Sequence, residues 1–299
     1  MTKEHEEIVK GIIVRLTGGF YYVDVKDEIF ECKARGKFRK QGESPVVGDM
    51  VEISLKPDGY HSIERILERK NYLVRPPLAN LDALVIVIST VDPLPNTLVI
   101  DKLTAAAVDI GTVPYIVFSK TDVKECDELA KVYSEARFPT FTYSDGDEES
   151  VAAVRNALEG KLVAFIGNSG VGKSTLINNL YPELNLKTGQ VSQKLGRGRH
   201  TTRTVELFKT DSGYVADTPG FSTMDLESYH LVSKDQLMYC FPEFNDYLNE
   251  CRFTSCMHIC EKGCAVIEAV NNGAISKTRH ESYIEMYNEI KDIKPWELK

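Results

Sequence analysis

The fold of this chain is decided by the stretch Gly167-Asn168-Ser169-Gly170-Val171-Gly172-Lys173-Ser174, which fits the phosphate-loop pattern G-x-x-x-x-G-K-[ST]. An apolar run, Leu162–Ile166, precedes the stretch, and a helical pattern that reaches Leu180 follows it. In this strand–loop–helix context the glycines let backbone N–H groups surround a phosphate at a helix N-terminus. The sequence therefore predicts a P-loop domain that binds a nucleoside triphosphate.

Chemical roles inside the loop follow from the side chains that it carries. Lys173 is predicted to reach the β- and γ-phosphates and to contribute to catalysis, and the Ser174 hydroxyl is predicted to ligate Mg²⁺. Downstream, Asp217-Thr218-Pro219-Gly220 follows the strand-like run Tyr214–Ala216. This tetrapeptide has the form of the Mg²⁺-side aspartate and the γ-phosphate-sensing glycine of a nucleotide switch, although a plain strand-end turn has the same composition.

The stretch Ser119-Lys120-Thr121-Asp122 is the nearest match to the guanine-binding pattern N-K-x-D, and it directly follows an apolar run that ends at Phe118. In that pattern the aspartate accepts hydrogen bonds from guanine N1 and N2, and the lysine stem packs on the ring. Because serine replaces asparagine here, we expect one side-chain contact, to the base or to the phosphate loop, to be shortened or lost. Ser144 could supply a backbone contact that caps the base. The predicted GTP-binding residues are Ser119, Lys120, Thr121, Asp122, Gly167, Asn168, Ser169, Gly170, Val171, Gly172, Lys173, Ser174, Thr175, Asp217 and Gly220.

The order of these motifs differs from that of an ordinary GTPase, in which the phosphate loop comes first. Here the guanine motif at residues 119–122 precedes the loop at 167–174. Upstream, the continuous apolar runs Leu84–Ile88 and Pro114–Phe118, separated by a helical pattern from about residue 96 to 110, are typical of strands buried on both faces of a parallel sheet. Such a sheet can keep its fold when the original chain ends are joined and the chain is opened at an exposed loop instead. The sequence predicts a circularly permuted G domain.

The chain from about Gly11 to Ile66 has a different pattern, in which short runs rich in β-branched and aromatic residues alternate with turns. Five short strands without a long helix predict a small β-barrel, and the OB-fold is a five-stranded barrel that binds oligonucleotides. A barrel that serves only as a scaffold stays open at this point, because a fold alone does not assign a function. The strands are expected at Ile12–Leu16, Phe20–Val25, Ile29–Cys32, Val51–Leu55 and His61–Ile63.

Charge and composition limit the partners. The 299 residues include 42% hydrophobic and 27% charged residues, as in a globular protein, and no run approaches the roughly 18 apolar residues of a membrane span. We therefore expect a soluble, cytoplasmic protein with no membrane partner, and we also expect it to be a monomer. The net charge of −8 gives no global attraction to nucleic acid, so any RNA must be held by local basic patches. One patch, with Phe38 available to stack on a base, contains Lys33, Arg35, Lys37, Arg39 and Lys40, and the other contains Lys194, Arg197, Arg199 and Arg203. A charged surface that only contacts solvent is the alternative reading of the first patch.

Cysteine and histidine side chains crowd together near the C-terminus, where the chain beyond Gly220 otherwise has a helical pattern, and four of them are predicted to bind a metal ion. They are Cys251, Cys256, His258 and Cys264. Three thiolates and one imidazole form a closed tetrahedral set for a structural Zn²⁺, which leaves no position for a catalytic water. By spacing alone, Cys260 could replace Cys256 or Cys264.

The permuted order, the segment 196–202 (Gly-Arg-Gly-Arg-His-Thr-Thr), the upstream barrel and the downstream cysteine cluster together resemble the ribosome small-subunit-dependent GTPase family, RsgA or YjeQ. The resemblance covers nearly the whole chain. It implies a multidomain α/β protein with an N-terminal OB-fold that binds RNA, a circularly permuted P-loop GTPase domain and a C-terminal helical zinc-binding domain, which we expect at residues 1–72, 73–225 and 226–299. It also implies GTP hydrolysis late in small-subunit maturation, contact with ribosomal RNA, and a metal set that skips Cys260.

The sequence lacks the glutamine that orients the attacking water in Ras-like GTPases. In Ras-like enzymes a glutamine after the switch glycine orients the attacking water, and here that residue is Phe221. We therefore predict slow intrinsic hydrolysis that the subunit stimulates, with His200 as the candidate that positions the water; contact of His200 with RNA phosphate is equally open. Thr201 or Thr202 is expected to complete the Mg²⁺ shell.

Two other functions remain open from the sequence. The first is an RNA-binding assembly scaffold that senses GTP and GDP with little turnover, which the missing glutamine favours. The second is a P-loop ATPase, against which the guanine motif argues.

Overall fold

The computed structural model describes residues 7–38, 42–56, 59–74, 76–185, 205–211, 213–217 and 232–293. The chain divides into two compact units. The first contains Met1–Asp82, Leu158–Ala164 and Gln190–Phe221, and the second contains Ala83–Ala157, Phe165–Gly189 and Ser222–Lys299. None of the helices in these described ranges combines the length and the apolar character that crossing a membrane would require.

Five strands at the start of the first unit close into a barrel. They are β1 (Glu7–Thr17), β2 (Phe20–Val25), β3 (Glu28–Ala34), β4 (Met50–Leu55) and β5 (His61–Ile66). Strands β1, β2 and β3 form an antiparallel meander, β5 lies parallel to β3 and antiparallel to β4, and β4 pairs with β1. The side chains of Ile13, Val23, Ile53 and Ile63 are fully buried and fill the interior. The predicted barrel is confirmed, and five strands closed in this order fit an OB-fold. Two short strands, β6 (Tyr72–Leu73) and β7 (Leu78–Ala79), pair beyond it.

The second unit contains three parallel strands, β8 (Ala83–Ser89), β9 (Val113–Ser119) and β10 (Thr140–Tyr143), in the order β10-β9-β8. The helices α1 (Thr97–Ile110), α2 (Asp127–Glu135) and α3 (Glu148–Leu158) follow these strands in turn. Every residue of β8 is buried, as expected for a strand covered on both faces. Helix α1 begins where the Asn96 side chain accepts a hydrogen bond from the Val99 N–H, and it ends at Gly111, whose φ of 85° suits glycine. The predicted βαβ pattern is confirmed.

The remaining α/β elements are β11 (Lys161–Ile166), α4 (Lys173–Leu180), β12 (Glu206–Thr210) and β13 (Gly213–Asp217). Strand β11 runs parallel to β13, and β12 and β13 form an antiparallel hairpin. A Cβ at Gly213 would lie 2.3 Å from the Lys161 carbonyl oxygen, so glycine permits this close pairing. Strand β12 also pairs with β1 through Arg15 and Glu206. The hairpin and the barrel therefore belong to one unit.

The C-terminal residues of the second unit are less helical than their pattern predicts. The described α-helices there are α5 (Ala265–Asn271) and α6 (Lys277–Ile290), and residues 232–264 form turns with two 3-10 segments, Leu237–Cys240 and Pro242–Phe244. The helical expectation is wrong for residues 232–250. Pro242 has no N–H to donate, and Phe241 and Phe244 pack on Tyr283 with ring centroids 5.3 and 5.1 Å away, which favours compact turns. A third 3-10 segment, Pro182–Leu184, follows α4.

Candidate nucleotide site and metal centre

The phosphate loop joins β11 to α4. A Cβ at Gly167 would lie 2.6 Å from the Val87 carbonyl oxygen, so only glycine allows this approach to β8. Gly170 and Gly172 have left-handed φ angles of 84° and 86°. The Lys173 Nζ donates across the loop to the Gly167 carbonyl oxygen at 3.4 Å. Because α4 starts at Lys173, the N-terminal end of this helix lies at the loop, and a helix N-terminus favours an anion there. Of the other loop residues, Asn168 and Ser169 are exposed, Val171 is buried, and Ser174 and Thr175 are half-buried.

Ser119 ties the guanine motif to the phosphate loop. It lies at the end of β9 with 1% of its surface exposed. Its Oγ lies 2.6 Å from the Val171 carbonyl oxygen and 3.2 Å from that of Ile88. The hydroxyl has a single proton, and the shorter distance marks Val171 as the main acceptor. The sequence predicts that serine shortens or loses a contact to the base or to the phosphate loop, and the contact to the phosphate loop is present.

Lys120 is held by the loop that follows β8. It has a φ of 60°, and its carbonyl oxygen accepts a hydrogen bond from Thr90 Oγ1 at 2.8 Å. Its Nζ donates to the Asp92 carbonyl oxygen at 2.8 Å. Sequence reasoning missed Thr90 and Asp92, and the available signal is their position directly after the apolar strand β8. Asp122 is exposed at the end of this turn.

Segment 143–145, at the end of β10, is held from two sides. Thr121 Oγ1 donates to the Tyr143 carbonyl oxygen at 3.2 Å and lies 2.8 Å from Ser144 Oγ. Asn179 of α4 donates from Nδ2 to Tyr143 Oη at 2.7 Å and to Asp145 Oδ1 at 2.8 Å. Burial, and then the neighbouring Asp145 carboxylate, raises the pKa of Tyr143 to about 12, so its hydroxyl stays protonated at neutral pH. Ser144 is therefore fixed by the guanine motif and by the helix after the phosphate loop.

The switch residues are described only in part. Asp217 is the last residue of β13, which runs parallel to β11. Its side chain lies outside the described part of the chain, and so do Gly220, His200, Thr201, Thr202 and Phe221, together with Lys194, Arg197, Arg199 and Arg203. Their roles stay predictions.

Cys251, Cys256, His258 and Cys264 form one group, in which the ligand atoms all lie within 4.8 Å of one another. His258 Nδ1 is 3.5 Å from Cys251 Sγ and 3.4 Å from Cys264 Sγ, and these two sulfurs are 3.9 Å apart. Ligand atoms about 2.0–2.3 Å from a tetrahedral centre are separated by about 3.4–3.8 Å. The four residues can therefore hold a metal ion. Cys260 is exposed and lies outside the group.

The loop that carries His258 is fixed by side chains that sequence reasoning missed. The Glu261 carboxylate accepts hydrogen bonds from three N–H groups within residues 257–260, at 2.8 to 3.0 Å. His280 Nε2 lies 2.7 Å from the His258 carbonyl oxygen, and the Tyr283 hydroxyl donates to a carbonyl oxygen of the same loop at 2.7 Å. Burial lowers the pKa of His258 and so favours the neutral form of its ring.

The basic patch of the barrel differs from its prediction in one respect. Phe38 is only 4% exposed, so the expectation that its ring is available to stack on a base is wrong. Its N–H donates to the Arg35 carbonyl oxygen in a tight turn, and burial of the ring removes a large apolar surface from water. The Arg35 side chain pairs with Glu64 at 2.6 Å. Lys33 and Lys37 are exposed, whereas Arg39 and Lys40 lie outside the described residues.

Two solved structures of known proteins are similar to this chain over nearly its whole length. The structure of YjeQ from Thermotoga maritima matches with a TM-score of 0.80 and 33% identity, over 96% of this chain and 100% of that chain. The structure of YloQ, described as a circularly permuted GTPase, matches with a TM-score of 0.79 and 31% identity, over 99% of both chains. In this chain, the guanine motif at residues 119–122 precedes the phosphate loop at residues 167–174. The fold and the site together define a circularly permuted GTPase.

Two protein-family models show to which family of circularly permuted GTPases the chain is similar. The model of the RsgA N-terminal domain matches residues 10–61, and that of the RsgA GTPase matches residues 66–227. The small ribosomal subunit biogenesis GTPase RsgA of Caldanaerobacter subterraneus subsp. tengcongensis is 41% identical over 290 residues, which are 96% of this chain and 97% of that protein. A Listeria innocua relative, RsgA 2, is 42% identical over 296 residues, with 96% and 99% covered. This chain belongs to the RsgA GTPase family and is a GTP-hydrolysing enzyme.

Proposed function

We propose that this chain hydrolyses GTP to GDP and phosphate while bound to the small ribosomal subunit, late in the maturation of that subunit. The observation that carries the proposal is the 2.6 Å hydrogen bond between Ser119 and Val171, because it joins a guanine motif to a phosphate loop in permuted order. The relatives named above are small ribosomal subunit biogenesis GTPases, and this supports the choice of partner.

The nucleotide roles in this proposal follow the motifs. Asp122 selects guanine, Lys173 neutralises charge on the β- and γ-phosphates, and Ser174 holds Mg²⁺ together with Thr201 or Thr202. Asp217 lies on the Mg²⁺ side, Gly220 senses the γ-phosphate, and His200 positions the attacking water. The half-buried position of Ser174 at the start of α4 supports its part.

The metal centre is proposed to hold one structural Zn²⁺ through Cys251, Cys256, His258 and Cys264. The donor set of three sulfurs and one nitrogen suits zinc, and it leaves no position for water. The ion would then stabilise the C-terminal fold without taking part in the reaction.

The setting is proposed from the sequence and the relatives. The chain acts as a cytoplasmic monomer with an OB-fold at residues 1–72, a G domain at 73–225 and a zinc-binding domain at 226–299. The barrel binds ribosomal RNA, and exposed Lys33 and Lys37 on and after β3 support this part. Such binding should weaken as the salt concentration rises.

The test measures phosphate release from GTP and from ATP, with and without purified small ribosomal subunits. GTP turnover alone should rise when subunits are added, and Lys173→Ala should abolish the rise. Lys161→Ala, a lysine at the start of β11, is the matched control and should keep it. Hydrolysis of ATP at a rate similar to that of GTP would contradict the assignment.

The scaffold function remains as a second candidate because Phe221 stands where Ras-like enzymes have the water-orienting glutamine. It predicts GTP-dependent subunit binding without stimulated turnover. The same assay, combined with co-sedimentation, separates the two functions.

A further inference from the structure

The C-terminal end of α4 carries a polar cluster that none of the predicted nucleotide contacts includes. Asn179 Nδ2 donates to Tyr143 Oη at 2.7 Å and to Asp145 Oδ1 at 2.8 Å. A side-chain amide has two N–H groups, and both are used here. The two acceptors belong to the residues on either side of Ser144. One side chain therefore fixes both ends of the segment that is expected to cap the base.

Asn179 is itself held in place by helix α3. Arg155 donates from Nη2 to the Asn179 carbonyl oxygen at 2.6 Å and from Nε to the Leu180 carbonyl oxygen at 3.0 Å. The last carbonyl groups of a helix have no partners within the helix, and a positive charge near them is favourable. The position of Asn179 is therefore set by the fold before any nucleotide binds.

Thr121 holds the same segment from the guanine motif. Its Oγ1 contacts the Tyr143 carbonyl oxygen and Ser144 Oγ, and its N–H donates to the same carbonyl at 3.4 Å. Segment 143–145 is thus connected to the motif that reads the base and to the helix that follows the phosphate loop. This arrangement leaves the segment little freedom to move.

We infer that Asn179 is a positioning residue for guanine selectivity, an inference that rests on the proposed binding of GTP at this site. Asn179 holds segment 143–145 so that the Asp145 main-chain N–H donates to guanine O6, because the Ser144 N–H already donates to Ser150 Oγ at 3.4 Å. Adenine carries an amino donor where guanine carries this acceptor, so a fixed N–H discriminates between the two bases. Asn179 also engages the Asp145 carboxylate, which would repel O6 if it turned toward the base.

Three diphosphates test this role by binding to the full chain. GDP and IDP both carry O6, and IDP lacks the 2-amino group; 2-aminopurine riboside diphosphate keeps that amino group and lacks O6. Asn179→Leu should weaken GDP and IDP about tenfold each, the order of one net hydrogen bond, and leave the third ligand unchanged. Tyr143→Phe, which removes the hydroxyl that accepts from Asn179 Nδ2 and keeps the ring, should give the same pattern.

Asn156→Leu is the matched control, because Asn156 is exposed on α3, and it should bind all three ligands like the wild type. Equal weakening of all three ligands, or unchanged GDP binding, in Asn179→Leu and Tyr143→Phe would overturn the inference. If Asn179→Leu does not fold, Tyr143→Phe decides. Failure of the proposed function is distinguishable, because the wild-type chain would then bind GDP no better than ADP.

Discussion

Ser119 keeps a side-chain contact to the phosphate loop although serine replaces the asparagine of the motif. Its hydroxyl is the donor to the buried Val171 carbonyl oxygen, 52 residues away in the chain. Ser119→Ala removes this donor, and the loss of a buried hydrogen bond costs about 1–3 kcal/mol. We expect GDP affinity to fall about tenfold, measured by calorimetry. Ser134→Ala, at an exposed position of α2, should leave the affinity unchanged. Unchanged GDP binding in Ser119→Ala would show that the contact does not order the loop.

Single residues were predictable where a local pattern defines their chemistry. The glycines and Lys173 of the phosphate loop follow from spacing alone, whereas the metal-binding group followed from spacing only up to the choice between Cys260 and its neighbours, which the family resemblance made. Contacts between residues far apart in the chain could not be predicted in this way. Asn179 contacts Tyr143 only through tertiary packing, and neither local sequence shows a sign of this contact. The prediction for Phe38 was wrong for a related reason. An aromatic residue among lysines and arginines indicates an exposed ring, but the ring of Phe38 is buried.

The loop of the metal centre takes its shape in part from one side chain, Glu261. Glu261 accepts hydrogen bonds from three N–H groups of residues 257–260 and so orders the turn around His258. Groups that orient metal ligands commonly affect metal affinity by about 10–100-fold. Glu261→Ala should therefore speed Zn²⁺ release to a chromogenic chelator by about that factor. Glu285→Ala, exposed on α6, is the control. Equal release rates in both variants would exclude an ordering role for Glu261.

Elements were predictable where apolar periodicity is strong. The strands β8 and β9 and helix α1 follow their runs within one residue at either end. Strand β12 was missed, because its five residues take their place from pairing with β13 and β1, which a local pattern does not contain. Residues 232–250 were expected to be helical, but aromatic packing and the metal-binding loop favour turns there.

At the scale of the whole molecule, the barrel and the β12–β13 hairpin are joined by a buried carboxylate. Asp24 of β2 is 4% exposed and accepts hydrogen bonds from Lys209 Nζ at 3.1 Å and from the Tyr214 hydroxyl at 2.9 Å. A third donor is the Asp27 N–H at 3.0 Å. This link therefore fixes the β12–β13 hairpin to the barrel within the first unit.

The same carboxylate makes the stability of this unit depend on pH. Burial alone would raise the pKa of Asp24, but the hydrogen bonds from Lys209, Tyr214 and the Asp27 N–H lower it below its ordinary value. A carboxyl group whose pKa is lower in the folded chain contributes stability above its unfolded pKa of about 3.9. That contribution is lost as the pH falls through the folded pKa.

Asp24→Asn should therefore lower the free energy of unfolding by about 1–3 kcal/mol at pH 7, measured by urea unfolding, because the charge that faces Lys209 is lost. The difference from the wild type should shrink as the pH falls below about 4, since the wild-type carboxylate is then protonated as well. Asp27→Asn is the control. The Asp27 side chain also contacts Lys209, but it is 80% exposed, so water screens this ion pair. Its replacement should therefore change the free energy of unfolding by no more than about 0.5 kcal/mol. A penalty for Asp24→Asn that is the same at pH 7 and at pH 2 would mean that shape, and not the charge of Asp24, holds the hairpin to the barrel.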